Sequence, residues 1–236
     1  MPKRLLRIIS GGETKSYSDR REAPRYKADE VAKWLRLPQS TIWAWFFGQP
    51  NFKPLLVPAD NRTKLLSFYN LTEAHVLSWT RQKYPNLRTV RIRTALEYVR
   101  ENLPQYERPL VTKKFRTDGK YLFIKSLSEN GDEPNPTINA SRWGQLALPV
   151  LDELLELIEY DDQELARLLY PQRGGKVIVI NPSLSSGQPV VKGTSVLASI
   201  IWQRVRRAGE PIERLARDYR LDQSEIQAAI NYIEAA

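Results

Sequence analysis

The stretch INPSLSSGQPVVKGTSV, residues 180–196, combines two glycines, a lysine and a Gly-Thr pair directly after an apolar run. A strand that feeds a glycine-rich loop is typical of proteins that bind nucleotide phosphates, whose Walker pattern is G-x-x-x-x-G-K-[ST]. Here Gly187 and Gly193 are one position too far apart, and Lys192 precedes the second glycine. Pro189 also removes a backbone N–H that would bind phosphate. The stretch therefore predicts a turn between two short strands rather than a nucleotide site.

The residues around this stretch predict a small module of two strands and three helices. The strands are KVIVI, residues 176–180, and Val190-Val191; the helices cover 197–207, a segment opened by Glu210 and a segment opened by Asp222. The tight turn between the last two helices gives a helix-turn-helix-like shape. The last helix has no lysine or arginine, so it is a poor partner for DNA phosphates. We interpret this trihelical unit as a protein-binding or dimerising module.

Two further helices are predicted before the module, at Gln145–Tyr160 from a leucine stripe and at Asp161–Tyr170, ahead of Pro171. Acidic residues cluster in this region: Glu156, Glu159, Asp161, Asp162 and Glu164. Carboxylates can bind a metal ion, but this spacing fits no metal-binding loop, and a solvated helix face is the simpler interpretation. The sequence therefore predicts no metal site.

The charge of the chain is divided between its two halves. Residues 1–125 contain 25 lysines and arginines and 11 acidic residues, a balance of +14. Residues 126–236 contain 11 lysines and arginines and 16 acidic residues, a balance of −5. A basic half suits a polyanion such as nucleic acid, which an acidic half would repel. A solvated basic surface without a ligand is the alternative.

The segment YKADEVAKWLRLPQSTIWAWFFG, residues 26–48, predicts two short helices joined by a tight turn. Asp29–Leu37 has apolar residues on one face, Pro38 cannot continue that helix, and Gly48 ends the next one. In a helix-turn-helix the second helix enters the major groove by its first residues. The residues expected to contact DNA here are Gln39, Ser40, Thr41 and Trp45. A plain helical hairpin is the alternative.

Two more helices are predicted in the basic half, from Thr72 to Lys83 and from Arg88 to Asn102. Three arginines at the start of the second helix are placed for phosphate or base contacts: Arg88, Arg91 and Arg93. His75 is expected to pack in the first helix, because no second metal ligand lies at a useful spacing.

A β-hairpin is predicted within LVTKKFRTDGKYLFIK, residues 110–125, because the Asp118-Gly119 pair is a typical hairpin turn. Such a basic hairpin would act as a wing against the phosphate backbone. Its candidate DNA-binding residues are Lys113 and Lys114.

These patterns divide the chain into a polar arm at 1–23, a DNA-binding domain at 24–127, a polar linker at 128–141 and a C-terminal module at 142–236. The expected fold class is mainly α with small β-hairpins. A winged helix-turn-helix domain is followed by a β-turn-β element and a trihelical, helix-turn-helix-like unit.

The composition excludes several kinds of chemistry. The chain of 236 residues has no cysteine and one histidine, which excludes disulfides, thiol nucleophiles and structural zinc. No catalytic constellation stands out, so we expect no enzyme activity, no catalytic residue and no cofactor. No apolar run approaches the ~18 residues of a membrane span, and the N-terminal apolar segment is too short for a secretory signal. A cytoplasmic protein is therefore expected.

Three stretches together resemble a known family: INPSLSSGQPVVKGTSV, AGEPIERLARDYRL and DQSEIQAAINYI. They are similar to a small bacterial module of formerly unknown function that occurs in VapB-type antitoxins, which are encoded beside toxins with a PIN-like nuclease fold. The resemblance covers residues 176–234. Residues 24–125 resemble the MerR-like helix-turn-helix extension of longer antitoxins. That extension often carries arginine or lysine in its recognition helix, whereas residues 39–47 have none.

The resemblance implies a non-enzymatic antitoxin that binds its toxin through the C-terminal module and represses its own operon through the N-terminal domain. A homodimer and a higher toxin–antitoxin complex are expected. The candidates for toxin binding or dimerisation are Gln188, Pro189, Lys192, Thr194 and Tyr219. Two alternatives stay open: a stand-alone MerR-like transcriptional regulator whose C-terminal half dimerises or binds an effector, and a nucleotide-binding enzyme.

Overall fold

The computed structural model describes residues 19–83, 88–129, 149, 151–171 and 175–235. Within these residues the chain is mainly α-helical with a small antiparallel sheet, as the sequence predicts. The helices are α1 (Ala28–Leu35), α2 (Gln39–Phe47), α3 (Phe68–Lys83), α4 (Thr89–Asn102), α5 (Lys120–Glu129), α6 (151–155), α7 (Ala198–Arg206), α8 (Ile212–Tyr219) and α9 (Gln223–Glu234). None of these described helices is long and apolar enough to cross a membrane. Most of the expected arm and linker lies outside the described residues, as does the predicted helix start at Gln145.

Four of the described segments are strands of one antiparallel sheet, in the order β1-β2-β3-β4. The strands are β1 (Ile158–Tyr160), β2 (Ala166–Leu169), β3 (Ile178–Ile180) and β4 (Pro189–Val191). The last two are the strands predicted around the glycine-rich stretch, and both are buried along their length. Ile178 pairs with Val191, and Ile180 pairs with Pro189. Residues 180–196 thus contain the turn after β3 and the strand β4, which runs antiparallel to β3, and they lead into α7.

A tight turn joins α1 to α2. Arg36 has a left-handed backbone (φ 54°, ψ 45°), and the Leu37 N–H donates to the Ala32 carbonyl at 2.9 Å. Such bonds satisfy carbonyls that the end of a helix leaves free. Pro38 is the N-cap of α2, with φ −57°. Ile42 is fully buried, so the turn places one face of α2 in the core and leaves the start of α2 exposed.

Helix α3 begins at Phe68, ahead of the start predicted at Thr72. The Asn70 N–H donates to the Ser67 hydroxyl at 3.2 Å, so the Ser67 side chain satisfies a backbone N–H in the first turn of α3. Thr72 lies inside the helix, where its hydroxyl donates to the Phe68 carbonyl at 3.0 Å. The prediction placed the helix start at the wrong hydroxyl, because serine and threonine both cap helices.

The β-hairpin predicted around residues 118–119 is wrong, and with it the winged part of the predicted domain. Residues 113–129 are helical and widen into a π-turn at Phe115–Gly119. A Cβ on Gly119 would lie 2.6 Å from Phe115 Cδ2. The glycine is therefore needed for close packing within a helix rather than for a two-residue turn.

The helices predicted over residues 145–170 are wrong after residue 155, where the chain forms β1 and β2 instead. Ile158 pairs with Leu169 across these strands, and Leu169 pairs with Ile180 of β3. A short apolar run fits a buried helix and a buried strand equally well. The neighbouring strand supplies the hydrogen bonds that decide between them.

Tyr26 connects the start of α1 to the stretch 180–196. Its N–H and carbonyl pair with Leu66 at 2.9 and 2.8 Å, and its ring meets Trp34 edge-on with centroids 5.2 Å apart. Its hydroxyl donates to the Gly187 carbonyl at 3.0 Å. Gly187 has φ 74°, and a Cβ there would lie 2.1 Å from the Tyr26 hydroxyl. Both the backbone conformation and the available space therefore require glycine at this contact.

Arg21 makes a second connection between the two halves of the chain. Its Nη1 lies 2.5 Å from Asp161 Oδ2, in the turn between β1 and β2. The same guanidinium pairs with Asp19 at 2.8 Å and lies 5.3 Å from the centroid of the Tyr69 ring. The segment before α1 is thus held against both α3 and the β1–β2 turn.

The hydrophobic core is continuous across both halves of the described chain. His75 is buried, and its Nε2 lies 3.1 Å from the Leu154 carbonyl. Thr112 forms an antiparallel bridge with Leu165, ahead of β2. The domain boundary within 128–141 stays a prediction, while residues on either side of it share this core.

The Arg21–Asp161 contact makes stability depend on pH. Burial alone would raise the pKa of the Asp161 carboxyl, but the Leu165 N–H and Arg21 outweigh it and hold that pKa below its ordinary value. A carboxyl whose pKa is lower in the folded state stabilises the fold above its unfolded pKa, about 4, and loses this effect as pH falls through the folded pKa. We expect Asp161→Asn to lower the free energy of unfolding by about 1 kcal/mol near neutral pH and by less in acid.

Urea unfolding of the two proteins at neutral pH and near pH 3 measures this difference. Asp162→Asn is the matched control, since Asp162 is an exposed neighbour in the same turn. The same loss of stability at both pH values would show that the charge of Asp161 is not what matters.

Candidate DNA-binding and partner-binding surfaces

The start of α2 carries the first group of expected DNA-contacting residues. Gln39 and Ser40 are exposed, and Thr41 is half-buried. Helix α2 has no charged side chain, but the preceding helix and turn supply Lys33 and Arg36. Both cations are exposed, and neither has an ion-pair partner within the described part of the chain. Side chains that can read base edges thus stand close in sequence to unneutralised positive charges.

Trp45 is not part of this surface, and its expected DNA contact is wrong. Its side chain is 1% exposed, so it cannot reach a base edge without opening the core. Trp43 is the exposed tryptophan of α2, with its ring centroid 4.8 Å from that of Phe47. The helical spacing of Ile42, Trp45 and Phe46 was the signal that could have placed Trp45 inside.

The three arginines at the start of α4 have different surroundings. Arg88 is the exposed N-cap residue, and Arg91 is half-buried. Arg93 reaches back to the loop between α2 and α3, where it donates to the Pro54 carbonyl at 3.0 Å and to the Lys53 carbonyl. A guanidinium held by backbone carbonyls has fewer N–H groups left for phosphate. Arg88 and Arg91 are therefore the better phosphate candidates.

Lys113 and Lys114 are each paired with an acidic side chain. Lys113 Nζ lies 3.6 Å from Glu164 Oε1, and Lys114 pairs with Asp118 one helical turn later. The Asp118 carboxylate raises the pKa of Lys114 above its ordinary value. Exposed pairs of this kind add little stability, but the carboxylates offset the charge that a phosphate would meet. Because the predicted hairpin wing is a helix in the structure, Lys113 and Lys114 are weaker candidates for phosphate contacts than Arg88.

Four of the five candidates for toxin binding or dimerisation follow the turn after β3. Gln188 is half-buried and precedes β4, and Pro189 is buried as its first residue. Lys192 is exposed, with its Nζ 5.5 Å from the centroid of the Tyr170 ring. The Thr194 hydroxyl donates to the Val191 carbonyl at 2.8 Å. This threonine therefore holds the corner that leads into α7.

Tyr219, the fifth candidate, belongs to an ion-pair network between α7 and α8. The Arg204 guanidinium lies 5.1 Å from the centroid of the Tyr219 ring. Arg204 also pairs with Glu210 at 2.6 Å and with Asp218 at 2.8 Å. Tyr219 thus supports the packing of the helices, and it lies on a different element from the other four candidates.

A groove of about 680 Å³ lies between α1 and the C-terminal helices. Residues that line it include Trp34, Gln188, Pro189, Trp202, Gln203 and Ile233. The groove combines two tryptophans with polar side chains and with four charged ones, Glu30, Lys33, Arg207 and Glu234. Tryptophan and arginine are residue types that are enriched at protein interfaces.

The acidic residues of 156–164 make structural contacts. Glu159 accepts hydrogen bonds from the Tyr170 hydroxyl at 2.6 Å and from Arg167 at 3.0 Å, and these bonds lower its pKa. Asp161 is held by Arg21. Across the described ranges, no three His, Cys, Asp or Glu side chains are grouped so that they could hold a metal ion.

Residues 178–233 match a family described as a protein of unknown function, DUF433. The chain is also similar to two proteins of Mycobacterium tuberculosis (strain ATCC 25618 / H37Rv). One, named putative antitoxin VapB45, is 25% identical over 234 residues, which cover 91% of this chain and 95% of the relative. The other, the uncharacterized protein Rv2308, is 28% identical over 224 residues, which cover 88% of this chain and 89% of the relative.

The fold is shared with a solved protein. The crystal structure of Rv2018 from Mycobacterium tuberculosis matches with a TM-score of 0.70 and 23% identity, over 88% of this chain and 98% of that chain. The likeness spans both halves of the described chain. Rv2018 therefore has the same overall arrangement of these two halves.

The burial of Trp45 gives a direct test of the surface assigned to α2. We expect Trp45→Ala to lower the free energy of unfolding by about 3–5 kcal/mol, because it leaves a large cavity in the core. Trp43→Ala, in the same helix, should cost no more than about 1 kcal/mol. Urea unfolding of both variants measures the difference, and equal losses would contradict the assignment of Trp45 to the core.

Proposed function

We propose that this chain is an antitoxin that binds and neutralises a PIN-like ribonuclease toxin and represses its own operon by binding DNA. The observation that carries this proposal is the nearly end-to-end similarity to the protein named putative antitoxin VapB45, over 91% of this chain and 95% of that protein. Because the similarity includes both halves, both are given a role in the proposal.

The DNA-binding role is assigned to α1 and α2, acting as a MerR-like helix-turn-helix. Its support is the tight turn at Arg36, the exposed Gln39 and Ser40 at the start of α2, and the positive balance of the N-terminal half. Glutamine can bond the edge of adenine, and serine can bond several bases. Lys33 and Arg88 would supply contacts to the phosphate backbone.

The toxin-binding role is assigned to the groove between α1 and the C-terminal helices. Its support is that the half-buried Gln188 and the exposed Gln203 line the groove together with the half-buried Trp202 and the buried Trp34. Tryptophans in partly closed sites contribute strongly to protein interfaces. The groove also includes two of the residues that the sequence nominated for toxin binding.

Co-expression with the product of the adjacent reading frame tests the antitoxin role. We expect the two proteins to co-purify at a fixed ratio and the toxin's ribonuclease activity to be suppressed in the complex. Gln203→Trp should weaken the complex about ten-fold or more, because the indole would fill the groove. Glu213→Trp, on the exposed face of α8, is the matched control.

A different result would redirect the proposal in a defined way. A complex that survives Gln203→Trp would move the toxin site away from the groove. No complex, together with specific binding to upstream DNA, would favour a stand-alone transcriptional regulator.

The salt dependence of DNA binding tests the phosphate contacts. Each phosphate contact that is removed lowers the slope of log K against log salt by about 0.9. We expect Arg88→Ala with Arg91→Ala to lower the slope by about 2, because both side chains lack ion-pair partners among the described residues. Lys113→Ala should change it little, since Glu164 already offsets that charge. Fluorescence anisotropy over a salt series gives both slopes, and the reverse order would transfer the contact to Lys113.

A further inference from the structure

The helix-turn-helix shape of α8 and α9 repeats the sequence of α1 and α2. AKWLRLPQSTIWA, residues 32–44, aligns without gaps with ARDYRLDQSEIQA, residues 216–228. The two stretches share alanine, arginine, leucine, glutamine, serine, isoleucine and alanine at matching positions, and Lys33 matches Arg217. We name residues 28–47 the first unit and residues 212–234 the second unit.

The turns of the two units share a left-handed arginine and the same closing hydrogen bond. Arg220 has φ 55° and ψ 48°, against 54° and 45° at Arg36. The Leu221 N–H donates to the Ala216 carbonyl at 2.9 Å, the same bond and distance as in the first unit. The first helix of each unit has eight residues, and the second begins at the matching glutamine, Gln223 or Gln39.

Burial follows the same pattern in both units. Leu215, Ile226 and Ile230 are fully buried, as are the matching residues of the first unit, Val31, Ile42 and Phe46. The inner positions that fix the angle between the two helices of a unit are therefore apolar in both. The repeat is one of structure as well as of sequence.

The exposed positions also match, and they carry the chemistry that DNA requires. Gln223 and Ser224 are exposed at the start of α9, as Gln39 and Ser40 are at the start of α2. Arg214 of the second unit is exposed, but it lies 3.6 Å from Glu210. The other exposed cations are Arg217 and Arg220 in the second unit and Lys33 and Arg36 in the first. None of these four cations has an ion-pair partner within the residues described. Each unit thus offers base-reading side chains after two free cations.

The acidic residues of α9 do not exclude contact between the second unit and DNA. The Asp222 N–H donates to Glu225 Oε2 at 2.9 Å, so that carboxylate is held against its own helix cap. Glu234 lies at the far end of α9 and pairs with Arg206 at 2.6 Å. The absence of lysine and arginine from α9 is equally true of α2, so it does not distinguish the two units.

We infer that the second unit is also a DNA-reading helix-turn-helix, with Gln223 and Ser224 at the base edges and Arg217 and Arg220 at the phosphates. One chain then carries the two recognition helices that many repressors obtain by dimerising. The inference rests on the DNA-binding part of the proposed function. It adds a second site that reads a separate segment of the same duplex.

Footprinting of the full chain tests the inference, on duplex DNA from upstream of its own gene and on duplexes selected from a random library. We expect Gln223→Ala with Ser224→Ala to remove one protected segment and to weaken binding about ten-fold. Gln39→Ala with Ser40→Ala should remove a different segment. Gln163→Ala, at an exposed position in the β1–β2 turn, is the control that keeps both segments.

A second measurement probes the cations. Arg217→Gln with Arg220→Gln should lower the slope of log K against log salt by about 2. Arg167→Gln, whose side chain is already paired with Glu159, should leave the slope unchanged. Thermal melting of each variant shows that the fold is retained.

The outcomes separate this inference from the proposed function. If only the Gln39 and Ser40 variant loses protection, and the Arg217 and Arg220 variant keeps its slope, the second unit does not read DNA and the proposed function stands. If the wild-type chain protects no duplex, both DNA-binding roles are overturned, and co-purification alone decides the antitoxin role.

Discussion

The hydrogen bond from the Tyr26 hydroxyl to the Gly187 carbonyl, the Arg21–Asp161 pair and the continuous core together hold the two halves of the chain in their arrangement. Tyr26 leads into α1, and Gly187 lies between β3 and β4. A tyrosine hydroxyl is already protonated at neutral pH, and burial raises the pKa of Tyr26 further above its ordinary value. Loss of this donor would leave a carbonyl in a buried site without its partner, which costs free energy. The same contact helps to hold α1 beside α7 and α9, and so it preserves the groove between them.

Ion pairing separates the basic side chains that hold the fold from those that remain available to a ligand. Arg21 and Arg204 each contact two carboxylates, whereas Lys33 and Arg217 contact none in the described ranges. The acidic balance of the C-terminal half conceals Arg217, because a sum of charges does not show where each charge lies.

Local signals predicted the helices that matter most for the proposed sites. A proline or an Asp–Glu capping pair marks the starts of α2 and α9, and the structure has both helices there. The wrong predictions of secondary structure concern local patterns that are compatible with two different structures. Asp118-Gly119 can form a turn, but Gly119 instead allows Phe115 to pack within a helix. The leucines of 151–169 fit a helix or a strand, and the pairing with β3 decides the outcome. The sequence also held the repeat, visible once residues 32–44 and 216–228 are aligned.

The amino-acid sequence by itself determined the two pairs of short helices joined by a tight turn, α1–α2 and α8–α9, and the β3–β4 turn. Capping, left-handed turn residues and apolar spacing act over a few residues, so they can be read from a single segment. Only the tertiary structure decided which side chains remain available to a ligand. Trp45 lies in the core, Arg93 is held by a distant loop, and Lys113 meets Glu164. Each of these outcomes depends on a partner that lies far away along the chain, and no local pattern specifies such a partner.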